Sequence, residues 1–175
     1  MNEALKNIIT RRSIRKFKTT MIPANIINDI INAGLYAPSA RSKNAPIIIA
    51  ITNKTLRDKL AKLNAEIYGK DKNMDPFYGA PVVLIVLAQK NIPTHIYDGS
   101  LVMGNLMLAA HSLGIGSCWI HRARQEFERP EGKEILHVLG ITEEYEGIGH
   151  CILGYVDGSY PETKPRTSDR VYHID

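Results

Sequence analysis

The chain has 175 residues, of which 44% are apolar and 23% charged, and its 22 Lys and Arg outnumber its 18 Asp and Glu. This composition is typical of a folded chain with a sizeable core, and it excludes the disordered, collagen-like and low-complexity classes. The longest apolar runs, Ile47 to Ile51 and Pro81 to Ala88, are far shorter than the ~20 residues of a membrane-spanning helix. Because the first residues lack a hydrophobic signal core, we expect a cytoplasmic protein.

Apolar spacing along the chain predicts five helices and four strands. Apolar residues three and four apart indicate helices, and uninterrupted apolar runs indicate strands covered on both faces. Prolines and glycines mark where these elements begin and end. In chain order, the predicted elements are helix 2–10, a helix from Pro23 to the residue before Pro38, strand 46–52, a helix after Asn53 that ends in a break from Gly69 to Asn73, strand 82–87, helix 98–113, strand 117–120, helix 131–139 and strand 148–156.

These elements predict one domain, residues 1–175, in which helices pack on both faces of a single sheet. Helix 98–113 is apolar almost all round, so we expect it to be largely buried. The polar, proline-rich tail at 159–175 is expected to close over a bound ligand or a partner subunit. Cys118 and Cys151 are too few for a disulfide framework, and we expect them to be buried packing groups.

A basic segment follows the first helix, with five cations between Arg11 and Lys18 and no acid among them. Three guanidinium groups and a hydroxyl, close together, match the oxygens of a terminal phosphate. Lys164 and Arg166 add two cations from the other end of the chain, so both ends would grip one phosphate. A solvated basic turn is the alternative interpretation. The members of this N-terminal cluster are Arg11, Arg12, Ser13 and Arg15.

Motifs of several cofactor and catalytic classes are missing from the sequence. No Gly-x-Gly-x-x-Gly motif follows the first predicted strand, and Gly114-Ile115-Gly116 follows a helix, which is the wrong order for a dinucleotide site. The six histidines lack metal-ligand spacing, and neither a nucleophile elbow nor a paired-cysteine zinc motif occurs. We therefore predict no metal site and expect a bound organic cofactor to supply the chemistry.

In their order and spacing, four segments together resemble the FMN-dependent nitroreductase family over nearly the whole chain. The segments are Arg11-Arg12-Ser13-Ile14-Arg15-Lys16-Phe17, Ala37-Pro38-Ser39-Ala40 through Pro46, Asp98-Gly99-Ser100 to Leu113-Gly114-Ile115-Gly116-Ser117-Cys118-Trp119, and Leu153-Gly154-Tyr155 with Lys164-Pro165-Arg166. This resemblance implies an α+β fold with a central, mostly antiparallel sheet flanked by helices on both faces. It also implies a homodimer that binds FMN at the subunit interface.

The activity implied by the resemblance is the reduction of electron-poor acceptors, such as nitroaromatics or quinones. It proceeds by a ping-pong hydride transfer in which NADH or NADPH is the transient electron donor. The implied partners are a second copy of the chain and a small-molecule oxidant, with no nucleic acid and no membrane.

Residue roles follow from the same resemblance. By it, Arg11, Arg12 and Ser13 contact the phosphate and ribityl chain, and Arg15 lies beside flavin N1 and O2. It also implies that the loop with Pro38, Ser39, Ala40 and Asn44 comes from the other subunit, that Asn64 faces the pyrimidine ring, and that Lys164 and Arg166 clamp the phosphate. By the same resemblance, Trp119 contacts the flavin through its backbone, and the turn after it, with Ile120, His121 and Arg122, points a backbone N–H at N5. Arg15 and His121 are the predicted catalytic residues. A guanidinium at the N1 and O2 edge would stabilise the reduced flavin.

The sequence departs from the family pattern in two places. The family loop usually reads Pro-Ser-x-x-Asn-x-Gln-Pro, and here Ser42, Asn44 and Ala45 occupy its Asn, Gln and second Pro positions. His121 and Arg122 replace the acid and glycine that commonly follow the strand beside N5. We expect this bulky, positive pair to alter which substrate enters.

Other functions fit parts of the same pattern. The basic cluster would also suit a non-enzymatic module that binds anions or nucleic acid, although such modules place aromatic side chains among their cations and only Phe17 lies there. A family member with a specialised task and a dimer that has lost its cofactor are further alternatives. A yellow protein that releases FMN on heating would distinguish the enzyme from the binding module.

Overall fold

A four-stranded sheet organises the computed structural model, which describes residues 1–69, 71 and 74–174. The strands are β1 (Ile47–Ile51), β2 (Val82–Gln89), β3 (Gly116–Ile120) and β4 (Tyr145–Gly154). The α-helices are α1 (Glu3–Thr10), α2 (Ala24–Leu35), α3 (Lys54–Tyr68), α4 (His95–Ser112), α5 (Ala123–Glu128) and α6 (Pro130–Val138), and short 3-10 turns occupy Ala40–Ser42 and Ser168–Arg170.

The strand order is β1-β2-β4-β3, and every pair of neighbouring strands is antiparallel. β2 and β4 form the centre of the sheet, and their pairing shifts register between Val86 and Leu87. β2 is buried from Val82 to Ala88 because it has a strand on each side and helices on both faces. The uninterrupted apolar sequence of this strand is the pattern that such a position requires.

Two apolar clusters cover the two faces of the sheet, because alternate side chains of a strand point to opposite faces. On one face, Val83 belongs to a cluster that includes Leu60 of α3 and residues of α5 and α6. On the other face, Leu84 belongs to a cluster with Ile30 of α2 and Leu106 of α4. This arrangement confirms the predicted α+β fold with helices on both faces of an antiparallel sheet.

The prediction of five helices is wrong, since the described residues form six α-helices. The additional helix, α5, has only six residues, which is too short to display an apolar repeat in the sequence. β4 begins at Tyr145 rather than at residue 148, because Tyr145 still pairs with Gln89 of β2. α4 begins at His95, three residues earlier than predicted.

α4 is less buried in the single chain than the sequence predicts for helix 98–113. Val102, Met103 and Leu106 are buried, whereas Leu101 is 46% exposed and Tyr97 is 72% exposed. No residue of α1 is buried, although its apolar side chains recur at helical spacing. Both helices therefore present apolar surface that this chain does not itself cover.

Gly69 closes α3 in a left-handed conformation with φ 67°, which glycine adopts without strain. The predicted break that begins there includes residues 70, 72 and 73, which lie outside the described part of the chain. Among the helices of the described part, none is both long and apolar enough to cross a membrane.

Candidate functional site

The basic segment lies along the outer edge of the sheet, beside β3. Ser13 forms a parallel bridge with Ser117, and the Ile14 N–H donates to the Ser117 carbonyl oxygen at 2.9 Å. Ile14 and Phe17 are buried in the core, whereas Arg15 between them is exposed. The alternation of apolar and basic residues thus anchors the segment and turns the Arg15 side chain outward.

Part of the Arg12 guanidinium forms hydrogen bonds with the end of α1. Its Nη1 donates to the carbonyl oxygens of Ile9, at 2.8 Å, and of Arg11, at 2.6 Å. Cationic side chains favour this position because the last carbonyl groups of a helix lack partners and carry partial negative charge. One nitrogen of Arg12 therefore serves the helix, and its predicted contact with a phosphate depends on the remaining N–H groups.

Three buried donors lack a hydrogen-bond partner in the described part of the chain: Arg11 Nη1, Ser117 Oγ and Trp119 Nε1. Ser117 and Trp119 lie on β3, and Arg11 begins the segment that pairs with that strand. A buried donor without an acceptor costs about 1–3 kcal/mol, so proteins seldom leave one unsatisfied without a functional reason. Arg11 Nη1 and Ser117 Oγ belong to the edge where the basic segment pairs with β3, whereas Trp119 Nε1 packs against Gly149 of β4.

A cleft of about 300 Å³ opens at the end of β3, where Trp119 and Ile120 line it. It brings together five of the residues predicted for the site, which are Arg15, Asn64, Trp119, Ile120 and His121. Its other described lining residues are Tyr68, Met74, Pro76, Tyr78 and Arg122. No acidic residue is among the described residues of this lining, so the cleft combines aromatic surface with positive charge.

Buried polar side chains form a hydrogen-bonded network behind the cleft. Asn64 Nδ2 donates to Glu126 Oε1 at 2.7 Å and to the His121 carbonyl oxygen at 2.9 Å. His150 Nε2 lies 2.8 Å from Glu126 Oε2, and His150 Nδ1 lies 3.4 Å from the Ile120 carbonyl oxygen. The network thus holds the backbone of Ile120 and His121, the stretch predicted to approach flavin N5.

Arg122 follows this stretch in a left-handed conformation, with φ 80°. Its guanidinium carbon lies 4.1 Å from the centre of the Tyr68 ring. Tyr78, on the same cleft, also has a positive φ, 53°. Side chains with a Cβ atom rarely adopt this region, and such strain concentrates at functional sites.

The loop residues Pro38, Ser39 and Asn44 line a separate cavity of about 260 Å³. The Asn44 N–H donates to Ser39 Oγ at 2.9 Å, and the Ala40 N–H donates to Asp98 Oδ1 at 3.1 Å. Within one chain, this loop is therefore not part of the cleft lined by Arg15. Its assignment to the flavin site remains a prediction that requires a second subunit.

Within the described residues, the start of the C-terminal tail lies near the end of α1, just before the N-terminal cluster. The Tyr160 ring lies 5.8 Å from the ring of His111, whose Nε2 is 2.9 Å from Thr10 Oγ1 at the end of α1. Burial, followed by the nearby charges of two arginines, lowers the pKa of His111. Lys164 and Arg166 are exposed, and no contact in the described part of the chain joins them to that cluster. Their role as a phosphate clamp stays a prediction.

Sequence reasoning missed three residues of this region: Ser117, Glu126 and His150. His150 lies within an otherwise apolar strand, which indicates a buried polar partner. Glu126 belongs to a charged stretch, whose composition is typical of exposed residues. Cys118 and Cys151 are buried as predicted, and burial raises the pKa of the Cys151 thiol, which favours a packing role for that residue.

Comparisons with known proteins match this chain along most of its length. The nitroreductase family matches residues 8–155. A relative from Methanothermobacter thermautotrophicus, whose name includes NAD(P)H nitroreductase, is 31% identical over 95% of this chain and 82% of its own length. An NADPH-flavin oxidoreductase from Vibrio harveyi is 27% identical over 95% of this chain and 70% of its own length.

Solved structures agree with the sequence comparisons. A crystal structure of a nitroreductase with bound FMN from Bacteroides fragilis superposes with a TM-score of 0.90 at 28% identity and covers 100% of both chains. A second nitroreductase with bound FMN, from Desulfitobacterium hafniense, superposes with a TM-score of 0.88 at 26% identity, again over 100% of both chains. The chain has the nitroreductase fold, and it belongs to the nitroreductase family.

Proposed function

We propose that this protein is an FMN-dependent NAD(P)H oxidoreductase that reduces electron-poor aromatic compounds such as nitroaromatics or quinones. The observation that carries the proposal is the aromatic and cationic cleft lined by Arg15, Trp119 and Arg122. Where the basic segment pairs with β3, the strand that leads to the cleft, the buried donors Arg11 Nη1 and Ser117 Oγ lack acceptors among the described residues. FMN has the required chemistry, with a phosphate, hydroxyls and ring acceptors attached to one planar aromatic system. The FMN-bound relatives support the same choice.

The described residues divide naturally between the parts of FMN. Arg11, Ser13 and Ser117 would hold the phosphate and the ribityl hydroxyls. Arg15 would lie at the N1 and O2 edge. Asn64 uses both amide hydrogens within the protein, so it would offer its carbonyl oxygen to the pyrimidine ring.

In the reaction, bound FMN would accept a hydride from NAD(P)H and pass it to the oxidant. The Arg15 guanidinium would stabilise negative charge at the N1 and O2 edge. The network of Asn64, Glu126 and His150 would keep the backbone at Ile120 in one geometry. His121, exposed at the cleft, would lie beside the acceptor, where its ring nitrogens can form hydrogen bonds to it.

A homodimer is the second part of the proposal. α4 is apolar almost all round, yet Leu101 and Tyr97 are exposed in one chain, and exposed apolar side chains on such a helix call for cover by another surface. The loop with Pro38 and Ser39 lines its own cavity, which a partner subunit would bring to the flavin. Sedimentation velocity is expected to show a dimer. A Leu101→Glu variant is expected to shift it toward monomer and to bind FMN less tightly. A wild-type monomer that binds FMN tightly would contradict this part of the proposal.

The activity itself has a direct test. We expect the purified protein to be yellow and to release FMN on heating. With NADH or NADPH under anaerobic conditions, it is expected to reduce a panel of quinones and nitroaromatics. A protein that binds no FMN from an excess would overturn the proposal. Binding of a labelled oligonucleotide by such a protein would favour the alternative module, although Phe17 is buried and cannot stack on a base.

A further inference from the structure

Arg122 has a left-handed backbone conformation, which residues other than glycine rarely adopt. Five residues other than glycine have a positive φ in the described part of the chain, and two of them, Tyr78 and Arg122, line the cleft. A strained residue persists where its surroundings hold it and its side chain has a use. The strained backbone at Arg122 therefore points to a functional use of its side chain.

The Tyr68 ring holds the guanidinium of Arg122 at the cleft. The guanidinium carbon lies 4.1 Å from the ring centre, within the range of a cation–π contact. A guanidinium held against a ring still presents N–H donors at its edge, in the forked geometry that matches a carboxylate. Among the residues that the structure describes, no carboxylate forms an ion pair with Arg122.

The surroundings of Arg122 are positively charged. Arg15 lines the same cleft, and a neighbouring cavity of about 450 Å³ shares Arg122 and adds Arg124. The acid described in that second lining is Glu146, whose Oε2 lies 3.4 Å from His95 Nε2 and whose Oε1 lies 3.6 Å from Arg124 Nη1. A pocket with this charge attracts an anion.

We propose that Arg122 binds the carboxylate of an aromatic substrate, so that this protein prefers electron-poor aromatic carboxylates to neutral analogues. The inference rests on the proposed function and narrows its substrate class. The phosphate of NADPH is another possible source of an anion. It lies far from the nicotinamide ring, however, whereas Arg122 directly follows the Ile120 and His121 backbone, beside which the proposed function places the reacting ring of the flavin.

The test compares 4-nitrobenzoate with 4-nitrobenzyl alcohol in steady-state assays of the holoenzyme. Arg122→Gly removes the cation and, because glycine adopts this φ freely, is expected to fold. The ratio of kcat/KM for the carboxylate to that for the alcohol is expected to fall about tenfold to hundredfold, as a charged hydrogen bond is lost. Lys133→Gln removes a positive charge at an exposed position outside both linings and is expected to change this ratio less than about threefold, since exposed charges are screened.

A binding measurement gives a readout that does not depend on turnover. Benzoate, with benzamide as its neutral control, is titrated against the wild type and Arg122→Gly by calorimetry. Benzoate is expected to bind about tenfold or more weakly to the variant. Equal benzoate affinity and an unchanged substrate ratio would overturn the inference. A raised KM for NADPH, but not for NADH, without a change in that ratio would assign the anion to the electron donor and also overturn it.

Failure of the proposed function would look different. In that case neither nitro compound is reduced and FMN does not bind, while benzoate titration still measures the Arg122 site. Reduction of both compounds with equal efficiency by wild type and variant would leave the oxidoreductase intact and remove only the role of Arg122.

Discussion

His150 Nε2 lies 2.8 Å from Glu126 Oε2, and both side chains are fully buried. The opposite oxygen of this carboxylate accepts a hydrogen bond from Asn64. These residues come from β4, α5 and α3, so one carboxyl group ties three elements together behind the cleft. In a low-dielectric interior such a network is strong when complete and costly when one member is removed.

Glu126→Ala is expected to lower the free energy of unfolding by about 3–5 kcal/mol, because it strands Asn64 and His150 in the interior and leaves a cavity. Denaturation by urea measures the change. Glu128→Ala is the matched control, since Glu128 is exposed on the same helix and pairs only with Arg124 among the described residues. That variant is expected to lose about 0.5 kcal/mol or less. Equal losses in the two variants would contradict a structural role for the buried carboxyl group.

Arg11→Ala is expected to raise the Kd for FMN about tenfold to hundredfold, because a charged hydrogen bond contributes about 1.5–3 kcal/mol. Arg12→Ala is expected to have a smaller effect, since its Nη1 serves the end of α1. Quenching of FMN fluorescence by the apoprotein measures both. Lys18→Ala, in the same basic run, controls for net charge. If Lys18→Ala raises the Kd for FMN as much as Arg11→Ala does, the buried Nη1 of Arg11 has no special role in binding.

Arg15→Ala is expected to lower the two-electron potential of bound FMN by about 30–60 mV, which corresponds to the loss of one charged hydrogen bond to the reduced form. Most of the cofactor is expected to stay bound, because the proposed phosphate contacts are intact. Anaerobic redox titration measures the shift, and Arg15→Lys is expected to restore part of it. An unchanged potential would remove Arg15 from the N1 and O2 edge.

His111 is expected to make the protein less stable in acid. Its pKa is lowered from 6.5 in the folded chain, first by burial and then by Arg11 and Arg12. The unfolded chain therefore binds the proton more readily, so this contribution to stability is present above about pH 6.5 and declines as the pH falls below it. Between pH 8 and pH 5, the Tm of His111→Gln is expected to fall less than that of the wild type. His137→Gln, at an exposed position, is expected to behave like the wild type. If the Tm of His111→Gln falls as much as that of the wild type, His111 is not the source of the acid sensitivity.

Much of the fold is predictable because strong local patterns coincide with tertiary demands. The uninterrupted apolar run of β2 predicts a strand with cover on both faces, and the structure has that arrangement. α5 escapes prediction because six residues are too few for a repeat. The sequence does not predict the exposed side of α4 either. A helix that is apolar almost all round does not reveal whether its own chain or another one covers it.

The site is predictable to a different extent. Trp119, Ile120 and His121 are adjacent in the sequence, and Arg15 belongs to a recognisable basic run, so local motifs indicate them. Asn64 enters through resemblance, and the structure adds that its amide hydrogens are already used. Glu126 and His150 meet only through the packing of α5 on β4, and no sequence spacing encodes that contact.

The pairing of the basic segment with β3 also bears on how the protein folds. Ser13 pairs with Ser117, and Phe17 pairs with Val156, so most of the chain separates the two members of each pair. Contacts between such distant residues form late, because closing a long loop costs entropy before any contact compensates for it. During synthesis, the arginines of this segment are made well before the strand that orients them. Nearly all of the protein must therefore be assembled before the proposed anion-binding edge exists.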